Sequence, residues 1–400
     1  PFPIDMFYFN SAEPIFKRVG EDNPHSFESY FLPHKVFSGN YWDEFSLPSL
    51  LLSSRQRILM LGLGKGAAIR PFLASGAECE IVTVDHDEDT IGAAKEIFSS
   101  FFPRILFETI HADAFEYLKR RSEKKFDIVW VDLYSKEGHV DLIADPGFYA
   151  LLEGVLKRNG IVAINSLGLP PQLNPIAADT TTHLSLYHLS GLFKTVGFLP
   201  YRRNYTLMAT QKDHFPKITR GDFHPDLKEG DRLVLNIQRL RLGKMKSPSV
   251  IKPRPVVEIP LSFQGTTLQM RARWPEFIHK LNHFGEEKIK SWKGLKEAKD
   301  LIPFMQNIDM ARETLHALLL ERNEMAIIFP LFLSSQKMDS HLPTEWFVRY
   351  FLQCWTLIYE ADPENFIHYF LPHVAALVIF EEELHHKDLS LLSKIVEKLQ

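Results

Sequence analysis

Cysteine is scarce in this chain: Cys79 and Cys354 are the only two in 400 residues. Two thiols so far apart in sequence exclude a disulfide framework and a thiolate metal cluster, which fits a reducing compartment. Long apolar runs are also missing, and no stretch approaches the ~20 apolar residues that cross a bilayer. Pro1 to Asn10 carry no basic segment followed by an apolar run, so the expectation is a soluble, cytoplasmic protein without a membrane partner. A large excess of one charge is absent too. The formal net charge of −4 supplies no global attraction to nucleic acid, so a charged partner would need a local patch.

What is present is apolar mass in the right amount for more than one core. Hydrophobic residues make up 45% of the chain, and single cores stop growing at roughly 250–300 residues, which points to two domains. The 31 Phe are spread along the whole chain, and those in the C-terminal half, such as Phe329, Phe332, Phe347, Phe351, Phe366 and Phe370, read as bulky faces for helix packing.

From Arg57 onward, short apolar runs alternate with amphipathic stretches. Strands are expected over 57–61, 80–84, 105–110, 126–131 and 160–165, with helices over 66–75, 88–101, 114–121 and 147–156 between them. This alternation predicts an α/β, doubly wound, mainly parallel sheet. A helix over 183–196 and a strand over 203–209 would close this domain at about residue 213. Residues 1–56 form a segment leading into it, expected to be rich in β structure. Residues 214–275 read as a connector, because Pro and Gly are scattered there among Arg239, Arg241, Lys244, Lys246, Lys252 and Arg254; a solvated linker outweighs a nucleic-acid patch, since few aromatics interleave with those charges. Residues 276–400 show helical periodicity, as in 310–322, 344–359 and 389–399, and form a second, α-helical domain of unassigned role.

The chemistry-bearing segment starts where the first strand runs into Gly62-Leu63-Gly64-Lys65-Gly66-Ala67. Glycines there let the backbone approach a bound nucleoside with no Cβ in the way. The turn also satisfies the dinucleotide pattern G-x-G-x-x-A, and Asp85 ends the second strand where an acid would grip ribose hydroxyls, so an NAD-binding oxidoreductase stays open at this stage. Asp113 then follows the third strand and Asp132 the fourth. Ligands of open parallel sheets sit at the carboxyl ends of the strands, so the three acids and the glycine turn should converge there.

Together, the runs 58–64, Val84-Asp85, Ala112-Asp113-Ala114 and Val131-Asp132-Leu133-Tyr134 resemble the spermidine synthase-like, polyamine aminopropyltransferase family of the AdoMet-dependent methyltransferase fold. Asp43-Glu44-Phe45, Gly147-Phe148-Tyr149 and Asn159-Gly160-Ile161 extend the likeness, which runs over about residues 36–210 and leaves the C-terminal half unaddressed. The resemblance implies a transferase that binds S-adenosylmethionine or its decarboxylated form and moves an aminopropyl or related alkyl group to an amine, with no metal. It further implies that Gly62, Gly64, Lys65, Gly66, Asp85, Asp113 and Ala114 face the donor. Asp85 would take the ribose hydroxyls and Asp113 the adenine amino group. Asp132 would remove a proton from the attacking amine, whose free pKa near 10, by analogy with lysine, keeps it charged at neutral pH. Tyr134 and Ser135 would contact the acceptor. A homodimer, common in the family, is implied as well, unless the added helical half displaces that interface.

Three departures qualify the resemblance. Lys65 stands where the family usually has an Asp that pairs with the donor's amine, Ser135 replaces a second acid, and Leu47-Pro48-Ser49 replaces a Tyr-His-Glu or Tyr-Gln-Glu box. A unit charge pair at ~4 Å and an effective dielectric of ~20 is worth about 4 kcal/mol before screening, so the inverted sign at Lys65 matters if the side chain points inward rather than snorkelling to solvent. Intact AdoMet carries a carboxylate that Lys65 could attract, which makes a methyltransferase the alternative, although Met60 replaces the acid that usually opens that class's glycine motif. A noncatalytic nucleoside-binding or protein-interaction module is a further alternative. Two other features have milder readings. Glu381, Glu382, His385 and His386 are spaced for a metal but fit a solvated polar helix better, and His183, Tyr187 and His188 could line the crevice or merely pack.

Overall fold

The computed structural model describes residues 15–18, 27–31, 35–52, 55–64, 66–75, 78–101, 105–121, 125–135, 138–168, 180–201, 204–218, 223, 226–248, 263–296, 300, 307–323, 344–380 and 386–400. Lys65, Lys252, Arg254, Phe329, Phe332, Glu381, Glu382 and His385 lie outside them.

Two strands in the leading segment, β1 (Ile15–Arg18) and β2 (Phe27–Phe31), form an antiparallel pair, and the 3-10 turns Tyr41–Ser46 and Pro48–Leu51 follow. The central sheet is built from β3 (Gln56–Leu61), β4 (Cys79–Asp85), β5 (Leu106–His111), β6 (Phe126–Val131), β9 (Leu156–Leu167), β10 (Thr195–Tyr201) and β11 (Asn204–Thr210). Two-residue strands β7 (Tyr134–Ser135) and β8 (Gly138–His139) make a small separate ladder after β6.

Spatially the seven strands run β10-β11-β9-β6-β3-β4-β5, and only β11 is antiparallel to its neighbours. Chain order reverses outward from β3 in the middle, so helices α1 (Ile69–Ala74) and α2 (Glu88–Phe101) fall on one face and α3 (Ala114–Lys119), α4 (Pro146–Val155) and α5 (Thr181–Leu192) on the other. This is the doubly wound, mainly parallel sheet that the alternation predicts. Side chains sort by the two-residue period of strands: Ile58, Met60, Ile128 and Trp130 join the first face, Leu59, Leu61, Val129 and Val131 the second. Both faces are covered, which is why these strands read as continuous apolar runs. Phe45 from the leading segment stacks on Trp130 with ring centroids 3.8 Å apart.

Two elements differ from what the periodicity predicts. The helix expected over 183–196 ends at Leu192, and Thr195–Tyr201 is strand β10, paired with β11 along its length. Gly197 and Pro200 disguise it, since both are uncommon inside strands; Pro200 is accommodated because β10 is an edge strand.

The second difference is larger. Within the expected connector, residues 229–243 form helix α6 (Glu229–Gly243), whose Asp231, Gln238 and Arg241 are buried. The basic stretch is not a solvated linker where it is described. Arg239 lies over the Phe223 ring at 3.6 Å, Arg241 pairs with Glu44 at 2.6 Å, and Lys246 pairs with Glu364 at 2.9 Å. Leu235 and Leu242 of α6 pack into the sheet-side core, while Leu233, Ile237 and Leu240 pack into a second core made by the C-terminal helices. Those helices are α7 (Phe263–Lys288), α8 (Ile308–Leu320), α9 (Thr344–Ala361), α10 (Leu371–Phe380) and α11 (His386–Leu399), with a π-turn over Phe366–Phe370 ahead of α10. Phe351, Phe366 and Phe370 meet in that core, where Phe351 lies 5.0 Å from Phe370. No described helix is long and apolar enough to cross a membrane.

Candidate active site

Each strand that carries a candidate residue ends on the same edge of the sheet. The turn after β3 uses three glycines with positive φ: Gly62 at 86°, Gly64 at 54° and Gly66 at 73°. This left-handed region strains any residue with a Cβ. At Gly62 the space is closed as well, because a Cβ would stand 2.2 Å from the carbonyl oxygen of Asp132. The backbone of the glycine turn thus lies directly against the residue that follows β6. That is a cradle for a group needing close backbone approach, and it fits the nucleoside donor that the glycine motif implies.

Asp85, at the end of β4, braces the turn. Its Oδ2 accepts from the Leu63 amide at 2.9 Å, and its Oδ1 accepts from the Asp87 amide at 3.0 Å. Each carboxylate oxygen has a second lone pair, so a bound hydroxyl can still be accepted. Asp113 caps α3, with Oδ1 taking the amides of Phe115 at 2.9 Å and Glu116 at 3.0 Å. Ala114 is buried in the first turn of that helix.

Asp132 is held by two side chains that no motif in the sequence marks. The Asn165 amide donates to Oδ1 at 2.8 Å and the Tyr41 hydroxyl to Oδ2 at 3.3 Å, while the Asp132 amide donates to the Leu61 carbonyl at 2.9 Å. Burial raises the Asp132 carboxyl to about 6; the two hydrogen bonds pull it down, and the charge of Asp85 adds to the rise. A carboxyl titrating there is matched to proton transfer near neutral pH. Burial, with the Asp132 charge second, pushes the Tyr41 hydroxyl well above its ordinary value, so it stays a donor. Tyr134 is raised for the same two leading reasons and donates to the Asn165 carbonyl at 3.2 Å. Ser135 contributes its backbone to β7.

Two of the features with milder readings can be placed in part. The His188 ring lies 4.9 Å from Tyr149 in a tilted pair and 5.5 Å from Tyr187 edge-on, and Tyr149 bonds Ser185 at 3.1 Å, so this face of α5 packs against α4. His386 pairs with Glu229 at 2.6 Å, and among the described residues no cluster of three or more His, Cys, Asp or Glu could hold a metal ion. Tyr41 is legible only in part: it precedes Asp43-Glu44-Phe45, but nothing in the spacing shows that it reaches Asp132. Asn165 ends a predicted strand, the position where ligand-edge residues occur, and that signal could have found it.

The spermine/spermidine synthase domain matches residues 45–172, which span the glycine turn, Asp85, Asp113, Asp132 and Asn165. The polyamine aminopropyltransferase of Pyrobaculum islandicum is 31% identical over 216 residues, covering 51% of this chain and 73% of that protein. That of Aeropyrum pernix is 24% identical over 155 residues, covering 37% of this chain and 46% of the relative, so this match spans only about half of the relative's length. Among solved structures, spermidine synthase from Thermotoga maritima is similar with a TM-score of 0.36 at 18% identity, over 47% of this chain and 66% of that one. A probable spermidine synthase from Corynebacterium glutamicum gives a TM-score of 0.43 at 15% identity, over 59% of this chain and 89% of the other. Sequence similarity of this extent, over the segment that builds the sheet edge, places the chain in the spermine/spermidine synthase family to which the polyamine aminopropyltransferases belong.

Proposed function

We propose that the protein transfers an aminopropyl or related alkyl group from an AdoMet-type sulfonium donor to an amine, with Asp132 as the base. The observation that carries this reading is the placement of Asp132. Its carboxyl is held between Asn165 and Tyr41 against the glycine turn, and it titrates at about 6.

The donor supplies a carbon made electrophilic by its bond to positive sulfur. The glycine turn and Asp85 would hold its nucleoside part, and Asp113 would meet the base. Asp132 accepts a proton from the acceptor's ammonium, freeing the nitrogen lone pair; the half-buried site weakens the amine's hold on that proton by desolvation. As the nitrogen–carbon bond forms, the carbon–sulfur bond breaks and its electron pair goes to sulfur, leaving a neutral thioether. Tyr41 and Tyr134 keep their protons throughout and hold hydrogen bonds to the carboxylate and its neighbour.

Two polyamine-gripping positions of the family are altered here, Ser135 and the run Leu47-Pro48-Ser49, which favours a short or singly charged acceptor over a long polycation. Methyl transfer from intact AdoMet is the second reading, favoured by the lysine at position 65. Calorimetry with AdoMet, decarboxylated AdoMet, methylthioadenosine and NAD tests the donor class directly. Binding of an AdoMet-type nucleoside is the expected result, and binding of NAD alone would overturn the proposal.

A further inference from the structure

Helix α6 lies outside the segment that carries the site residues, yet it grips a stretch of the leading segment that reaches Asp132. Asp231, near its start, accepts from the amides of Val36 at 3.1 Å and Phe37 at 3.2 Å. Seven residues on, Gln238 donates to the Asp43 carbonyl at 2.8 Å and accepts from the Ser46 hydroxyl at 2.5 Å. Three further on, Arg241 pairs with Glu44 at 2.6 Å and donates to the Pro200 carbonyl at 2.7 Å. The spacing i, i+7, i+10 puts all three on one side of the helix. Each of these side chains is nearly free of solvent, with Gln238 and Arg241 both at 1% exposure.

The residues so held are Asp43, Glu44 and Ser46, and they belong to the same six-residue 3-10 turn whose first residue is Tyr41. A 3-10 turn of that length moves as one piece, so fixing residues 43–46 fixes where residue 41 can place its ring. The bond that depends on this is a long one, 3.3 Å from the Tyr41 hydroxyl to Asp132 Oδ2. A displacement of a few tenths of an ångström would take it beyond hydrogen-bond range. Neither Gln238 nor Arg241 is among the side chains bonded to Asp132, so any influence must pass through the turn.

From this geometry we infer that Gln238 is a positioning residue: it locks the turn at residues 41–46 so that Tyr41 donates to Asp132, and through α6 it ties the reacting carboxyl to the C-terminal helical core. The role of α6 in catalysis rests on the assignment of Asp132 as the base. The hydrogen-bond relay itself does not. Because α6 contributes Leu235 and Leu242 to the sheet-side core and Leu233, Ile237 and Leu240 to the helical core, it is one element through which the two halves share a position, beside the turn at Phe366–Phe370 that packs on β10.

The decisive experiment follows the Asp132 carboxyl by carbon-13 NMR titration in the full chain, a readout that needs no turnover. The groups that face this carboxyl are Tyr41, Asn165, Asp85 and Tyr134, and only the first is altered by the relay. Four proteins are compared: the natural chain, Tyr41→Phe, Gln238→Leu and the double variant. Loss of the tyrosine hydroxyl removes a bond to the ionised form and should move the midpoint upward. Gln238→Leu should move it in the same direction, and the double variant should move no further than Tyr41→Phe, because both changes break one interaction. An unchanged midpoint in Gln238→Leu, or additive shifts in the double variant, would overturn the inference even if Gln238→Leu lowers the melting temperature. Should Gln238→Leu fail to fold, Ser46→Ala removes the hydroxyl that Gln238 accepts from, together with its bond to the Asp43 carbonyl, and the same pair of outcomes decides. A protein that shows the relay in this titration but transfers no alkyl group would contradict the proposed function and leave the positioning role intact.

Discussion

Asn165 donates its side-chain amide to Asp132 Oδ1 at 2.8 Å, across the gap between the ends of β9 and β6. This bond favours the ionised carboxyl, opposing the burial that raises it to about 6. Asn165→Ala should therefore push Asp132 higher still. In a pH–rate profile the acid limb should move to higher pH, so that activity falls more at pH 6 than at pH 8; an acid limb that stays in place would mean Asp132 is not the titrating base.

The same carboxyl should make the native protein less stable than it could be. Asp132 titrates at about 6 when folded against an ordinary 3.8, so the folded state binds more protons between those values. Its contribution to stability is therefore lost as pH rises from about 4 to 6, the opposite of a salt-bridged acid. Asp132→Asn should raise stability at pH 8 by on the order of 1 kcal/mol, after allowing for partial solvent screening, and the advantage should vanish below pH 4. Thermal melts of the two proteins across this range check it.

Gly62 offers a steric test. Its φ of 86° strains any side chain, and a Cβ there would come within 2.2 Å of the Asp132 carbonyl oxygen, which leaves no room for a methyl group. Gly62→Ala should lose about 1–3 kcal/mol of stability from the forbidden backbone and abolish donor binding measured by calorimetry. Gly92, where a Cβ would meet nothing within 4 Å, supplies the comparison: Gly92→Ala, in the middle of α2, should be neutral or mildly stabilising.

Much of this architecture is legible in the sequence because the two physical signals that define it are strong. Strands covered on both faces read as apolar runs, and the glycines and acids fall at their ends; hence Gly62, Asp85, Asp113 and Asp132 are found at one edge. What escapes detection depends on packing. In α6 apolar residues occupy two sides, since the helix is sandwiched between two cores, and the side facing the leading segment is polar, with Asp231, Gln238 and Arg241. No single apolar stripe survives, and basic residues suggest a solvated stretch. Tyr41 escapes for a related reason: its partner is 91 positions away, and no local pattern records a contact of that range.

The buried pair between α6 and the leading segment gives a fourth prediction. Arg241 and Glu44 are 1% and 3% exposed and 2.6 Å apart. Removing one partner strands a charge in the interior, so Arg241→Met should cost about 3–5 kcal/mol. Adding Glu44→Gln should recover most of that loss. Denaturant titrations of the two single variants and the double variant close the cycle, and additive losses would show that the pair is not coupled.

Turnover tests the transferase assignment most directly. The protein is incubated with decarboxylated AdoMet and a short diamine, and separately with AdoMet and the same amine, with products identified by mass spectrometry. Transfer of an aminopropyl or alkyl group to the amine is predicted, with Asp132→Asn slower by about 10²-fold or more while donor affinity changes little. Absence of any alkylated amine with either donor, or equal rates in the Asp132→Asn protein, would contradict it.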